Sequence, residues 1–83
     1  MADLNEIQKR VIKVTAEVLK TDAEEIKPDS NFVFDLGAES IDSVALVSAF
    51  EKEFDIEMDE ESALEVQSID KAVEYIQDYL DKK

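Results

Sequence analysis

Ser40 stands three residues after Gly37, the only glycine of the chain, and an amphipathic run begins directly behind it at Ile41. A serine in that position has two chemical uses. Its hydroxyl can cap a helix by accepting a backbone N–H. It can also be a covalent attachment point, because a helix N-terminus gathers unpaired N–H groups and partial positive charge that favour a phosphodiester. Gly37 would allow the tight chain approach that leaves the hydroxyl exposed at a loop-to-helix junction. The chain contains no histidine and no cysteine. Ser-His relays, histidine bases, thiolate chemistry and the usual zinc ligands are therefore missing, which argues against a self-sufficient hydrolase. Another protein would have to activate Ser40.

The acids raise a second question. Asp55, Glu57 and Asp59 alternate as calcium-loop ligands do, but a helix-loop-helix calcium site then needs a glycine at its sixth position and a glutamate at its twelfth. Glu60 and Val66 stand there, so that reading fails, and only weak surface binding of divalent ions is compatible with the segment. The net charge of −13 is unevenly spread. Residues 28–70 hold thirteen acids and one base, Lys52, while residues 1–27 carry six acids against five bases and residues 71–83 carry three of each. Nucleic acid is repelled by such a centre; a protein with a basic patch is steered toward it.

Eighty-three residues with one proline and one glycine predict a single domain of long regular elements. Leu4, Ile7, Val11, Val14 and Val18 recur at helical spacing, widened by Ile12 and Leu19, and predict a first helix over 4–19, with Asp3 and Glu6 as an N-terminal capping pair. Lys9, Arg10 and Lys13 are expected in solvent. Lys27 to Asn31 reads as a turn, with a short helical turn at 22–26 before it. Phe32, Phe34 and Leu36 fall in a long ordered loop. A second helix is expected over 40–54, with Leu46, Val47, Phe50 and Phe54 within about 100° of arc on the core side and Ile41, Ala45, Ser48 and Lys52 together on the outward side. A short third helix over 60–65 follows the acids Asp59 to Glu61, and Ser68 caps a last helix over 69–80 striped by Ile69, Ala72, Val73, Ile76 and Leu80. The fold class is all-α: a four-helix bundle with a long first loop and a short third helix. No apolar run reaches the roughly 20 residues that span a bilayer, and the acidic start Met1-Ala2-Asp3 is unlike a signal peptide. A cytoplasmic monomer without membrane insertion is expected.

The run Asp35-Leu36-Gly37-Ala38-Glu39-Ser40-Ile41-Asp42-Ser43-Val44 resembles the phosphopantetheine attachment signature of acyl carrier proteins, which commonly reads D-L-G-x-D-S-L-D-x-V. The likeness continues through Phe50 to Glu57 and through Ser68-Ile69 to Tyr75-Ile76, so it covers about the whole chain, residues 1–83, as one carrier domain. It implies a non-catalytic swinging-arm protein. A phosphopantetheinyl transferase would move the arm from coenzyme A onto Ser40 using Mg²⁺, and acyl groups would ride on the terminal thiol of the arm as thioesters. By resemblance, Asp35, Leu36, Gly37, Glu39, Ile41 and Asp42 flank the attachment point. Ile41, Val44, Ala45, Ser48, Glu51 and Lys52 would meet acyl-transfer and chain-elongation enzymes through their basic patches. Leu46, Val47, Phe50, Phe54, Leu64, Ile69 and Ala72 would form the core that holds an acyl chain. A discrete carrier of a dissociated (type II) fatty-acid or related pathway is the expectation. A peptidyl or aminoacyl carrier, and an unmodified acidic helical adaptor, are the alternatives.

The chain also departs from the pattern. Glu39 and Ile41 replace the usual aspartate and leucine; charge and apolarity are kept, and the longer Glu39 would slow a transferase that uses it on Mg²⁺. Ala45 and Lys52 stand where similar fatty-acid carriers have glutamates, and Ser48 where an apolar contact is frequent. Either the surface has drifted neutrally or partner choice has changed. Phe34 replaces a frequent acid; it either packs under the loop or lies exposed near Ser40.

Overall fold

The computed structural model describes residues 4–82 and is all-helical: α1 (Leu4–Leu19), a 3₁₀ turn (Ala23–Glu25), α2 (Ser40–Phe54), α3 (Glu60–Glu65) and α4 (Ile69–Lys82). Among the described residues no β-strand forms; one isolated bridge joins Asn31 to Ser68. Asp3, expected to begin the first cap, lies outside the described residues.

The helices follow from their apolar spacing. α1 buries Ile7, Val11 and Val14, and α4 buries Ile69, Ala72, Val73 and Ile76. The stripe of α1 is shorter than the sequence implies, because Leu4 is exposed in the first turn. Thr15 is fully buried; its hydroxyl donates to the Val11 carbonyl at 2.7 Å, so the burial strands no donor. α1 makes the main helix-to-helix backbone contacts, with α2 on one side and α4 on the other. From α2 come Leu46, Phe50 and Phe54. Phe50 is 1% exposed and meets Phe32 of the first loop, ring centroids 6.2 Å apart. Val47 is only half-buried, at the edge of the arc that the other three fill.

Turn chemistry sets the boundaries. Asp55 ends α2 in the left-handed region (φ 54°), which aspartate tolerates better than most residues, and its N–H reaches back to the Glu51 carbonyl. Asp59 caps α3: its carboxylate accepts the Ser62 N–H at 2.7 Å, and that backbone bond holds its pKa below the ordinary aspartate value. α4 runs two residues past the predicted end, because the apolar stripe stops at Leu80 while an ion pair between Lys82 and Asp78 (3.0 Å) spans the next turn. At its start the Lys71 N–H lies closer to Asp70 Oδ1 (2.9 Å) than to Ser68 Oγ (3.4 Å), so Ser68 contributes a weak cap.

Two expectations are corrected here. Leu64, placed with the core by resemblance, is 73% exposed: a helix of six residues turns only one side inward, and half-buried Ser62 and Ala63 occupy it. Arg10, expected in solvent, is a cross-brace. Its guanidinium lies 4.4 Å from the centre of the Phe54 ring, Nε pairs with the Glu53 carboxylate at 2.8 Å, and Nη2 donates to the Glu53 carbonyl at 2.6 Å. A cation over an aromatic face that also satisfies a C-terminal carbonyl ties α1 to the end of α2.

Candidate functional site

The loop that leads to Ser40 is built around Asn31. Its side-chain oxygen accepts the N–H groups of Val33 (2.9 Å) and Phe34 (3.0 Å), an Asx turn that folds the chain back on itself. The Asn31 N–H donates to the Asp35 carboxylate at 2.7 Å, and its carbonyl accepts from Asp35 and Leu36, both at 3.0 Å. Gly37 N–H closes onto the Val33 carbonyl (3.1 Å) and Ala38 N–H onto that of Phe32 (2.8 Å). Buried Phe32 and Ala38 anchor the two ends of the loop. A second set of bonds holds this loop against the start of α4: Phe32 N–H to the Gln67 carbonyl at 2.9 Å and Ile69 N–H to the Ser30 carbonyl at 3.0 Å.

Gly37 serves through its backbone angle. A side chain there would meet nothing within 4 Å, but φ is +71°. The expected tight approach is absent; the residue is glycine because an L side chain in this region costs roughly 1–2 kcal/mol. Gly37→Ala should therefore lower unfolding stability by about 1 kcal/mol, and Gly37→Asn by less, read from chemical denaturation midpoints at constant slope. Equal stability of the alanine variant and the parent would refute this account.

Ser40 is the first residue of α2 and is exposed. The N-cap is Glu39, one position earlier than the spacing implied, so the serine does not cap. Asp42 supplies the side-chain part of the cap: its carboxylate accepts the Glu39 N–H at 3.0 Å, and the first helical bond runs from Ser43 N–H to the Glu39 carbonyl. The hydroxyl thus stands beside the first-turn N–H groups of α2, where no helical carbonyl precedes them. Asp35 and Asp42 are tied into backbone bonds, whereas the Glu39 side chain is exposed.

Along α2, Ile41, Val44, Ala45, Ser48 and Lys52 all face solvent, Ile41 at 74% exposure. A shallow depression follows that side, lined by Ala45, Ser48, Ala49, Glu51, Lys52 and Asp55. Glu51 is not a free surface charge. It is half-buried, and its carboxylate accepts the Met58 N–H at 3.1 Å, closing the turn toward α3. Phe34 is 86% exposed, which decides between the two placements open to it. Leu36, next to Gly37, is half-buried against the core. Among the described residues no group of three or more acids could hold a metal ion. None of the described helices is long and apolar enough to cross a membrane.

A family model described as the phosphopantetheine attachment site matches residues 9–76, well over half of the chain. The chain belongs to that family of carrier proteins. Such a carrier bears a covalently attached phosphopantetheine and interacts with a phosphopantetheinyl transferase and with partner enzymes. Carrier domains of this kind are themselves non-catalytic. The site geometry fits the group: an exposed hydroxyl lies at the first turn of a fifteen-residue helix, where N–H groups and the helix dipole favour the phosphate of the arm. The spacing of apolar residues missed two contributors. The Asn31 clasp was signalled by an asparagine at the end of a Pro-Asp-Ser run. The Arg10 brace joins residues 43 apart and left no local signal.

Proposed function

We propose that this chain is an acyl carrier whose arm is attached at Ser40 and which serves a dissociated fatty-acid or related biosynthetic system. The observation that carries the reading is the exposed Ser40 hydroxyl at the start of α2, inside the Asp35–Asp42 run. In the loading step the Ser40 oxygen attacks the phosphorus that bears the pantetheine in coenzyme A. The bond from that phosphorus to the departing adenosine 3′,5′-bisphosphate breaks, and the serine proton passes to a base of the transferase. The chain has no histidine for that purpose. By the family resemblance, the exposed Glu39 would help bind the Mg²⁺ of the transferase. An acyl cargo, rather than an aminoacyl one, is supported by a single glycine ahead of the serine and thirteen acids in residues 28–70.

Incubation with coenzyme A, Mg²⁺ and a broad-specificity transferase should add one phosphopantetheine by mass, mapped by peptide digestion to Ser40. Holo protein should then accept acyl groups from an acyl-loading enzyme and not amino acids from an aminoacyl-loading one. No mass gain would instead favour an unmodified acidic adaptor.

Partner choice is the finer part of the reading. Where similar fatty-acid carriers place two acids, this one has Ala45 and Lys52, both exposed on the outward side of α2. A lysine set against a basic patch is a cheap means of rejection. The double variant A45E/K52E should raise turnover by a standard fatty-acid ketosynthase by about three- to tenfold, mostly through KM, since exposed pairs contribute up to about 1 kcal/mol each. Unchanged turnover would leave the two substitutions as neutral drift.

A further inference from the structure

Phe34 is the most exposed large apolar side chain of the described residues, and the loop holds it out. In an extended strand Phe32 and Phe34 would share a face. Here the Asn31 turn separates them: Phe32 is buried against Phe50 while Phe34 projects into water, with Val33 beside it 53% exposed. Four backbone bonds and the Asn31 side chain fix this arrangement, so burying Phe34 would require breaking the loop. The neighbours in sequence are acidic. Asp29, Asp35 and Glu39 are exposed, and no basic residue occurs between Pro28 and Glu51.

An aromatic ring held in water within an acidic surround fits a partner that offers an apolar pocket with a basic rim. The loop itself indicates which partner. The Ala38 N–H is bonded to the Phe32 carbonyl, so Phe34 and Ser40 each lie two residues from a common point. Two residues extend at most about 7 Å, which keeps the two backbones within about 20 Å. A standard interface of about 800 Å² per partner is roughly 30 Å across. An enzyme that acts on the thiol of the arm can stay an arm's length away, but the transferase must bring its reacting phosphate to the Ser40 oxygen and so covers the loop.

We propose that Phe34 is a specificity contact for the phosphopantetheinyl transferase, seated in an apolar pocket of that enzyme flanked by lysines or arginines. This rests on attachment at Ser40. The test uses apo forms of the parent, F34A, F34E, F34Y and, as a control for loss of exposed apolar surface elsewhere, L4A. Each is loaded from coenzyme A with Mg²⁺ by the transferase that modifies the parent most efficiently, and kcat, KM and melting temperature are measured. F34A should raise KM for the carrier about 10- to 100-fold with kcat within threefold. F34E should raise it further, F34Y should stay near the parent, and L4A should not change it. Melting temperatures of the Phe34 variants should match the parent, which separates contact from folding. A KM for F34A within twofold of the parent overturns the proposal while attachment at Ser40 stands. A parent that takes no arm on Ser40 overturns both.

Discussion

Ser40→Ala should abolish the mass gain on incubation with coenzyme A and a transferase, and should leave the fold almost untouched. The first half follows from the proposed attachment at Ser40, whose oxygen the substitution removes. The second half follows from the cap. Because Glu39 is the N-cap and Ser40 is the first helical residue, the hydroxyl is not needed to satisfy the helix end. An exposed first-turn serine changed to alanine alters stability by under about 0.5 kcal/mol, a shift of no more than roughly 2–4 °C in Tm for a domain of this size. Had the serine been the cap, the loss would have been about 1 kcal/mol or more. Asp42→Ala should show the opposite pattern. It removes the acceptor of the Glu39 N–H and should cost about 1 kcal/mol while the Ser40 oxygen remains available for modification. Thermal melts and intact mass of the two variants, measured together, separate the roles. A large drop in Tm for Ser40→Ala would return the capping role to the serine.

Phe50→Ala should be the most damaging single core change. Its ring is 1% exposed, packs against Phe32 of the loop and belongs to the buried side of α2. Truncating a buried phenylalanine costs about 3–5 kcal/mol, transfer and cavity effects together. A domain of this length holds roughly 4–12 kcal/mol in total, so the variant should lose about a quarter or more of its stability and unfold at a much lower urea midpoint. Phe50→Leu should cost markedly less. The same chemical deletion at Phe34 should cost almost nothing, because that ring is 86% exposed and buries little surface in the fold. A Phe50→Ala midpoint near that of the parent would mean that the core collapses around the gap.

The helices were legible because their information is local. Apolar residues at helical spacing and acids at helix starts placed the bounds of α1, α2 and α3 where they are found, and α4 to within one turn. The Asp35–Val44 run carried the family. What sequence spacing did not resolve lies where side-chain direction depends on tertiary contacts. Phe32, Phe34 and Leu36 alternate in sequence, yet an asparagine clasp sends one inward and another outward. The identity of the cap turned on a single residue, since Glu39 and Ser40 are both able to accept an N–H. Leu64 matched an apolar position by resemblance, but α3 is too short to turn it inward. Arg10 read as a solvated cation because nothing within a helical turn of it announces Phe54 or Glu53.

The central place of α1 has a consequence for biosynthesis. α1 packs mainly against α2 and α4, and α4 is the last described helix in the chain. Synthesis runs from the N-terminus at about 5–20 residues per second, so α1 leaves the ribosome seconds before the helix that completes its buried face. In that interval Ile7, Val11 and Val14 have only α2 to cover them, and the nascent chain depends on its strong charge to stay apart from its neighbours. The serine emerges early, but its loop is pinned by the Ile69 and Gln67 backbone, so the rigid presentation of the hydroxyl begins only once α4 is made. With the arm attached at Ser40 as proposed, loading would be coupled in time to completion of the fold.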